Sequence, residues 1–173
     1  MSGAIAATTD IFVYGTLISG FTNYLRYLGL AVASGGASFS ARGKTVETLP
    51  LVVRPPDMDP KTCGPVLMDC VGLGHRITGE IYRVNDRTLA AMDLLEGVAG
   101  GYYYRRSTEI EVASGEAIER RACEVYFFPA CDELLRQPLI AAYTTKEHAV
   151  YCPPPALNAE IVRLCKAGTQ QHG

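Results

Sequence analysis

Two short stretches carry residue types in patterns that could do chemistry: Tyr14-Gly15-Thr16-Leu17 and Asp93-Leu94-Leu95-Glu96-Gly97. The first directly follows the apolar run Ile11-Phe12-Val13, so it joins a strand end to a turn. A glycine there allows a backbone geometry closed to other residues. The helical pattern beginning near Phe21 then leaves loop N–H groups able to point at a ligand's negative oxygen, as an anion or oxyanion cradle does. A tight strand-to-helix connection has the same appearance, and four residues alone do not separate the two readings.

The second stretch ends a predicted helix, Arg87 to Glu96, with Asn85 or Asp86 as N-cap and Gly97 just past its end. Glu96 sits in the last turn, facing the negative pole of the helix dipole, which disfavours a carboxylate and raises its proton affinity. A general base working near neutral pH needs that shift. Asp93, three residues earlier on a similar face, would add like-charge repulsion. A solvated glutamate at a frayed helix end is the ordinary alternative. Glycines 97, 100 and 101 lead into Tyr102-Tyr103-Tyr104-Arg105-Arg106, where Tyr103 and Arg105 are the candidates for a hydroxyl-bearing wall and a carboxylate anchor. Glu80, in Thr78-Gly79-Glu80-Ile81-Tyr82, is the rival carboxylate and ranks second, because an alternating strand can turn it to water.

These residues need elements to hold them. Strand-like runs fall at Ile11 to Tyr14, Ala37 to Ala41, Leu49 to Val53, Val66 to Val71, Ile77 to Val84, Ser107 to Val112 and Ala122 to Phe128. Helical patterns fall at Thr22 to Leu30, Arg87 to Glu96, Asp132 to Tyr143 and Leu157 to Lys166. The order is not a regular βαβ alternation, so the prediction is an α+β sheet or barrel with peripheral helices. Arg54 to Pro65, with four prolines, reads as a loop.

A chain of 173 residues, 48% hydrophobic and 20% charged, fits one globular domain over 1–173. A net charge of -2, with no Lys/Arg block beyond Arg105-Arg106 and Arg120-Arg121, argues against nucleic acid as a partner and leaves a small molecule. No window approaches the roughly 18 apolar residues of a membrane span, and the N-terminal stretch lacks the basic flank of a secretion signal. The expectation is a soluble, cytoplasmic protein. Six irregularly spaced cysteines suit reduced thiols, including Cys63 and Cys70 around the proline-rich loop. Neither zinc-ligand spacing, nor a P-loop, nor a dinucleotide fingerprint, nor a Gly-x-Ser-x-Gly elbow occurs, so a zinc site is not indicated and nucleotide chemistry is demoted.

Taken together and in order, Tyr14 to Leu17 and Asp93 to Gly97 resemble the motifs of the γ-glutamylcyclotransferase superfamily. The stretches Arg42 to Val53 and Ile77 to Val84 look like those of its γ-glutamylamine cyclotransferase branch. The resemblance covers roughly residues 10 to 128. It implies a mixed, mostly antiparallel sheet closing into a small barrel with peripheral helices, and a cofactor-independent reaction that releases 5-oxoproline from γ-glutamyl compounds. It assigns Glu96 as proton acceptor and Tyr14, Gly15, Thr16 and Leu17 as substrate-binding residues. The Pro55 to Gly64 loop is longer than in the glutamylamine branch and the glycine-rich run after Glu96 differs, which leaves the leaving amine open. γ-Glutamyl-ε-lysine, γ-glutamyl α-amino acids and glutathione-like peptides are the candidate substrates, and a non-catalytic module that binds such metabolites is the alternative of another class.

Overall fold

The structure, a computed structural model, describes residues 5–58 and 63–167. The run at Ile11 becomes β1 (Thr8–Val13), followed by a π-helical turn, Tyr24–Leu28, that continues into α1 (Gly29–Ser34). Then come β2 (Ala37–Leu49), β3 (Leu51–Arg54), β4 (Gly64–Leu67) and β5 (His75–Asn85). After them the chain forms α2 (Asp86–Leu95), a 3-10 turn at Val98–Gly100, β6 (Tyr104–Ser114) and β7 (Ala117–Phe127). Three helices, α3 (Asp132–Leu135), α4 (Thr145–His148) and α5 (Ala159–Lys166), follow.

Five strands close a barrel in the order β1-β5-β2-β6-β7, while β3 and β4 form a separate two-stranded ladder. Neighbours in the barrel are antiparallel except at the closure, where β1 runs parallel to β7 with Ile11 opposite Glu124. The fold is therefore α+β, with a mixed, mostly antiparallel closed barrel and helices around it. Strand alternation divides the core. Phe12, Ile77, Ile81, Ile110, Val125 and Phe127 pack in one cluster. Ile11, Val13, Tyr82 and Val84, on the opposite face of the same strands, pack against Leu28, Ala31, Met92 and Ile161 of the helices.

Several expectations needed correction, each for a local reason. The polar run Arg42 to Thr48 is strand, so β2 is continuous from Ala37 to Leu49, interrupted only by register shifts between Phe39 and Ala41 and between Lys44 and Thr48. Its largely uncovered face accounts for the polar sequence. Pro50, which has no N–H to give a ladder, separates β2 from β3. Gly64 and Pro65 belong to β4, where Pro65 opposes Val53 in a two-stranded ladder that tolerates a missing donor. Val71 lies outside that strand. The centre of the predicted Arg54 to Pro65 loop, residues 59–62, lies outside the described residues. The predicted Asp132 to Tyr143 helix stops at Leu135 because Pro138 is incompatible with continuing it. No helix is long and apolar enough to cross a membrane among the described residues.

Candidate active site

The turn after β1 is fixed from its carbonyl side. The carbonyl of Thr16 accepts the amides of Asn23 and Tyr24, both at 3.1 Å, and Asn23 Nδ2 donates to Thr16 Oγ1 at 2.8 Å. The amides of Gly15, Thr16 and Leu17 donate to no protein acceptor among the described residues. Gly15 is required by a close approach, since a Cβ there would lie 2.4 Å from Pro65 Cγ. The turn is also anchored from below, where the Ser19 amide donates to Glu80 Oε2 at 3.2 Å.

Glu96 caps the C-terminus of α2. Asn85 starts that helix by accepting the Thr88 amide on its side chain, and Gly97, at φ 65°, ends it in the left-handed region that favours glycine. The ending leaves Glu96 lining a cavity of about 210 Å³ together with Tyr14, Gly15, Thr16 and Leu17. Asn23, Arg26 and Tyr27, at helical i, i+3, i+4 spacing, form another wall. Cys63 contributes from the loop before β4, Pro65 and Tyr126 from β4 and β7, Tyr103 from just before β6, and Tyr151, Cys152 and Pro154 from the segment after α4. Among the described residues lining it, Glu96 is the only carboxylate and Arg26 the only cation.

Burial raises the Glu96 carboxyl from its ordinary range to about 7, although the residue as a whole is only partly covered. Asp93 is not the cause. Asp93 is neutralised by Arg105, whose Nε donates to Oδ1 at 2.9 Å and Nη2 to Oδ2 at 3.3 Å, and by the Tyr126 hydroxyl at 2.7 Å. Surrounding phenols stay protonated. The Tyr14 hydroxyl donates to the Tyr126 carbonyl at 2.7 Å and is pushed far up by burial, then by Tyr103 and Glu96. Tyr103 donates to the Pro65 carbonyl at 3.3 Å and is raised by burial and by Glu96. The cavity thus sets a carboxyl that exchanges protons near neutrality among neutral hydroxyls, opposite backbone donors suited to an anion.

The structure brings together Tyr14, Gly15, Thr16, Leu17, Tyr103 and Glu96 in one cavity, but Arg105 does not line it. Its guanidinium is occupied by Asp93 and lies 3.7 Å from Glu124, so it is a brace under Tyr126 and not a carboxylate anchor. Glu80 is buried, does not face water as an alternating strand suggested, and accepts from the Tyr82 hydroxyl at 2.7 Å as well as from Ser19. Both donors reach the same oxygen, Oε2, so Glu80→Gln can keep that acceptor while losing the charge that strengthens both bonds. Its expected effect is a stability loss of about 1–3 kcal/mol, by denaturant titration, and a fall in turnover under about ten-fold.

Sequence reading missed Arg26, Asn23, Tyr126, Tyr151 and Pro154 as cavity residues; helical spacing within Asn23 to Tyr27 was the one local signal for any of them. The segment carrying Tyr151 is pinned through His148. Its Nε2 accepts the Thr22 amide at 3.2 Å, so that nitrogen carries no proton, and Nδ1 faces the Tyr143 hydroxyl at 3.0 Å. The ring stacks on Phe21 with centroids 4.4 Å apart. Burial lowers the His148 proton affinity, so the folded state prefers neutral imidazole. This contribution to stability is present above the usual histidine value of about 6.5 and is lost as pH falls. His148→Ala is expected to lower stability by about 1–3 kcal/mol at pH 8 and to flatten that acid-side loss, measured by thermal unfolding across pH.

The barrel thus carries a raised carboxyl and an amide-lined turn on one cavity. Residues 11–145 match the family described as Gamma-glutamyl cyclotransferase, AIG2-like, and the chain belongs to that family. The Gamma-glutamylaminecyclotransferase of Bos taurus is 36% identical over 132 residues, 72% of this chain and 73% of that one. A γ-glutamylcyclotransferase-family protein of Arabidopsis thaliana is 37% identical over 108 residues, 62% of this chain, and the match spans about half of its length, 54%. The crystal structure of an AIG2-like protein from Mus musculus superposes with a TM-score of 0.72 at 32% identity, covering 86% of this chain and 98% of that one. The cavity residues Tyr151, Cys152 and Pro154 lie beyond the family match.

Proposed function

We propose that the protein is a γ-glutamylamine cyclotransferase, acting on γ-glutamyl-ε-lysine to release 5-oxoproline and lysine, with Glu96 as the acid–base group. The observation that carries this reading is a carboxyl raised to about 7 in the same cavity as the Gly15, Thr16 and Leu17 amides, which have no protein acceptor among the described residues. The relatives named for this activity support it, the Bos taurus protein among them. In the reaction the substrate's α-amino nitrogen attacks its own γ-carbonyl carbon, the amide C–N bond breaks, and a five-membered lactam closes. Nucleophile and electrophile are already tethered, so the protein's work is to hold the reacting atoms about 3–3.5 Å apart and to move protons. Glu96 takes the proton of the attacking amine and returns it to the departing one. The turn amides stabilise the α-carboxylate or the developing oxyanion.

The test is incubation of the purified protein with γ-glutamyl-ε-lysine, following 5-oxoproline and free lysine by mass spectrometry. Lactam and lysine in equal amounts support the reading. Glutamate in place of lactam would show a hydrolase using water, and product binding without turnover would show a binding module. Turnover confined to γ-glutamyl α-amino acids or glutathione would keep the reaction and change the leaving amine.

A further inference from the structure

Arg26 is the one cation on the cavity wall, and it has no carboxylate partner among the described residues. Its recorded hydrogen bond runs from Nη1 to the carbonyl of Pro154 at 2.6 Å. Pro154 also lines the cavity, so this bond places the guanidinium head on the wall, and the bond is solvent-exposed, so the head sits at the rim. A guanidinium has five N–H donors, and one bond to a neutral carbonyl leaves its charge and most of its donors for something else. Tyr151 locates the cation relative to the acid. Asn23 Nδ2, three residues before Arg26 on the same helical wall, donates to its hydroxyl at 3.4 Å, and Tyr151 lines the cavity together with Glu96, Arg26 and Pro154.

A γ-glutamyl amino acid brings two carboxylates. Its α-carboxylate is carried on the ring that closes and must stay beside the attacked carbon, near Glu96 and the turn amides. A carboxylate on the leaving amine projects away from the reacting centre, toward the mouth. We infer that Arg26 at the cavity rim binds a carboxylate on the leaving amine, so that substrates whose leaving amine carries a free carboxylate, γ-glutamyl-ε-lysine among them, are preferred over the matching γ-glutamyl amines without one. This rests on the cyclotransferase reading above. Arg26 is then a specificity residue that discriminates substrates without touching the reacting atoms. Its bond to Pro154 also ties the segment bearing Tyr151 to the helical wall, so the test must separate binding from bracing.

The experiment compares kcat/KM for γ-glutamyl-ε-lysine and γ-glutamylcadaverine, which differ by the lysine carboxylate alone, in the wild type, Arg26→Met and Arg26→Lys. A second pair, γ-glutamylalanine and γ-glutamylethylamine, asks the same of a shorter leaving group. Wild type is expected to prefer the carboxylate-bearing member of at least one pair by about ten- to hundred-fold, the size of a charge-assisted contact. In Arg26→Met that ratio should collapse toward one, with partial recovery in Arg26→Lys. Equal rates on both members in the wild type, or a ratio that survives in Arg26→Met, would overturn the inference while leaving the cyclotransferase in place. A uniform loss on all substrates would overturn it in favour of a bracing role or of contact with the α-carboxylate. Absence of 5-oxoproline from every substrate would remove the function itself, and this inference with it.

Discussion

Glu96→Gln is expected to lower turnover by about 10² to 10⁴-fold, the usual worth of a positioned acid–base group, while leaving binding of 5-oxoproline nearly intact. Glutamine keeps the shape and hydrogen-bonding oxygen but can neither accept the amine proton nor return it. In wild type the acid limb of kcat/KM should be set by a group titrating near 7, because burial holds the carboxyl there and only its ionised form acts as a base. The phenols of Tyr14 and Tyr103 are raised and cannot substitute. A Gln variant with a rate within a few-fold of wild type would remove Glu96 from the mechanism. A larger loss in Glu80→Gln than in Glu96→Gln would transfer the role to the wrong-facing carboxylate, against the geometry.

The same substitution has a stability signature that does not depend on any substrate. A carboxyl whose folded value is raised binds more protons in the native state than in the unfolded one, so its favourable contribution is complete at low pH. It is lost as pH climbs from the ordinary carboxyl range through about 7. Glu96→Gln should therefore match wild type near pH 4 and exceed it at pH 8 by about 2 kcal/mol, less than the full shift would give because the carboxyl faces an open cavity. Its sign is opposite to that of His148, whose neutral form is the one the fold prefers. Measuring both variants across pH separates the two titrations.

Much of the site was legible in the sequence because its centre is built from local features. A turn after an apolar strand and a glutamate before a helix-ending glycine are each visible within a dozen residues, and the barrel holds them against one cavity. The proton affinity of Glu96 was anticipated in direction, but the contribution of burial was not, since burial is supplied by walls distant in sequence, whereas the helix end and Asp93 are local. Arg105 illustrates the same limit: beside the glycine-rich turn it reads as an anchor, yet its partner Asp93 is on α2 and takes its charge. Arg26 is its converse, because its place at the rim is fixed by Pro154, 128 residues away. Proline positions misled differently: Pro65 reads as loop, but a two-stranded ladder accommodates it.

That position makes Gly15 the second decisive residue. A backbone donor can be deleted only by proline, which also fixes φ and would distort the turn, but it can be displaced. Gly15→Ala is expected to lower turnover by about 10²-fold, the loss seen when an oxyanion donor is removed, and to destabilise the fold by about 1–3 kcal/mol through overpacking. The clash is specific, because the new methyl would meet Pro65 Cγ at 2.4 Å and Cβ at 3.1 Å, and a proline ring in a strand has no rotamer into which to retreat. Either the ring moves, widening the β3–β4 ladder, or the turn moves, carrying the Gly15, Thr16 and Leu17 amides off the ligand. The double variant Gly15→Ala, Pro65→Ala removes Cγ and leaves only the 3.1 Å contact, which small shifts can relieve. Partial recovery of kcat in the double variant, beyond what Pro65→Ala does alone, would show that glycine is needed for this approach and that the rate depends on where those amides sit. Recovery of stability without recovery of kcat would instead make Gly15 a packing residue and remove the amide cradle from the chemistry.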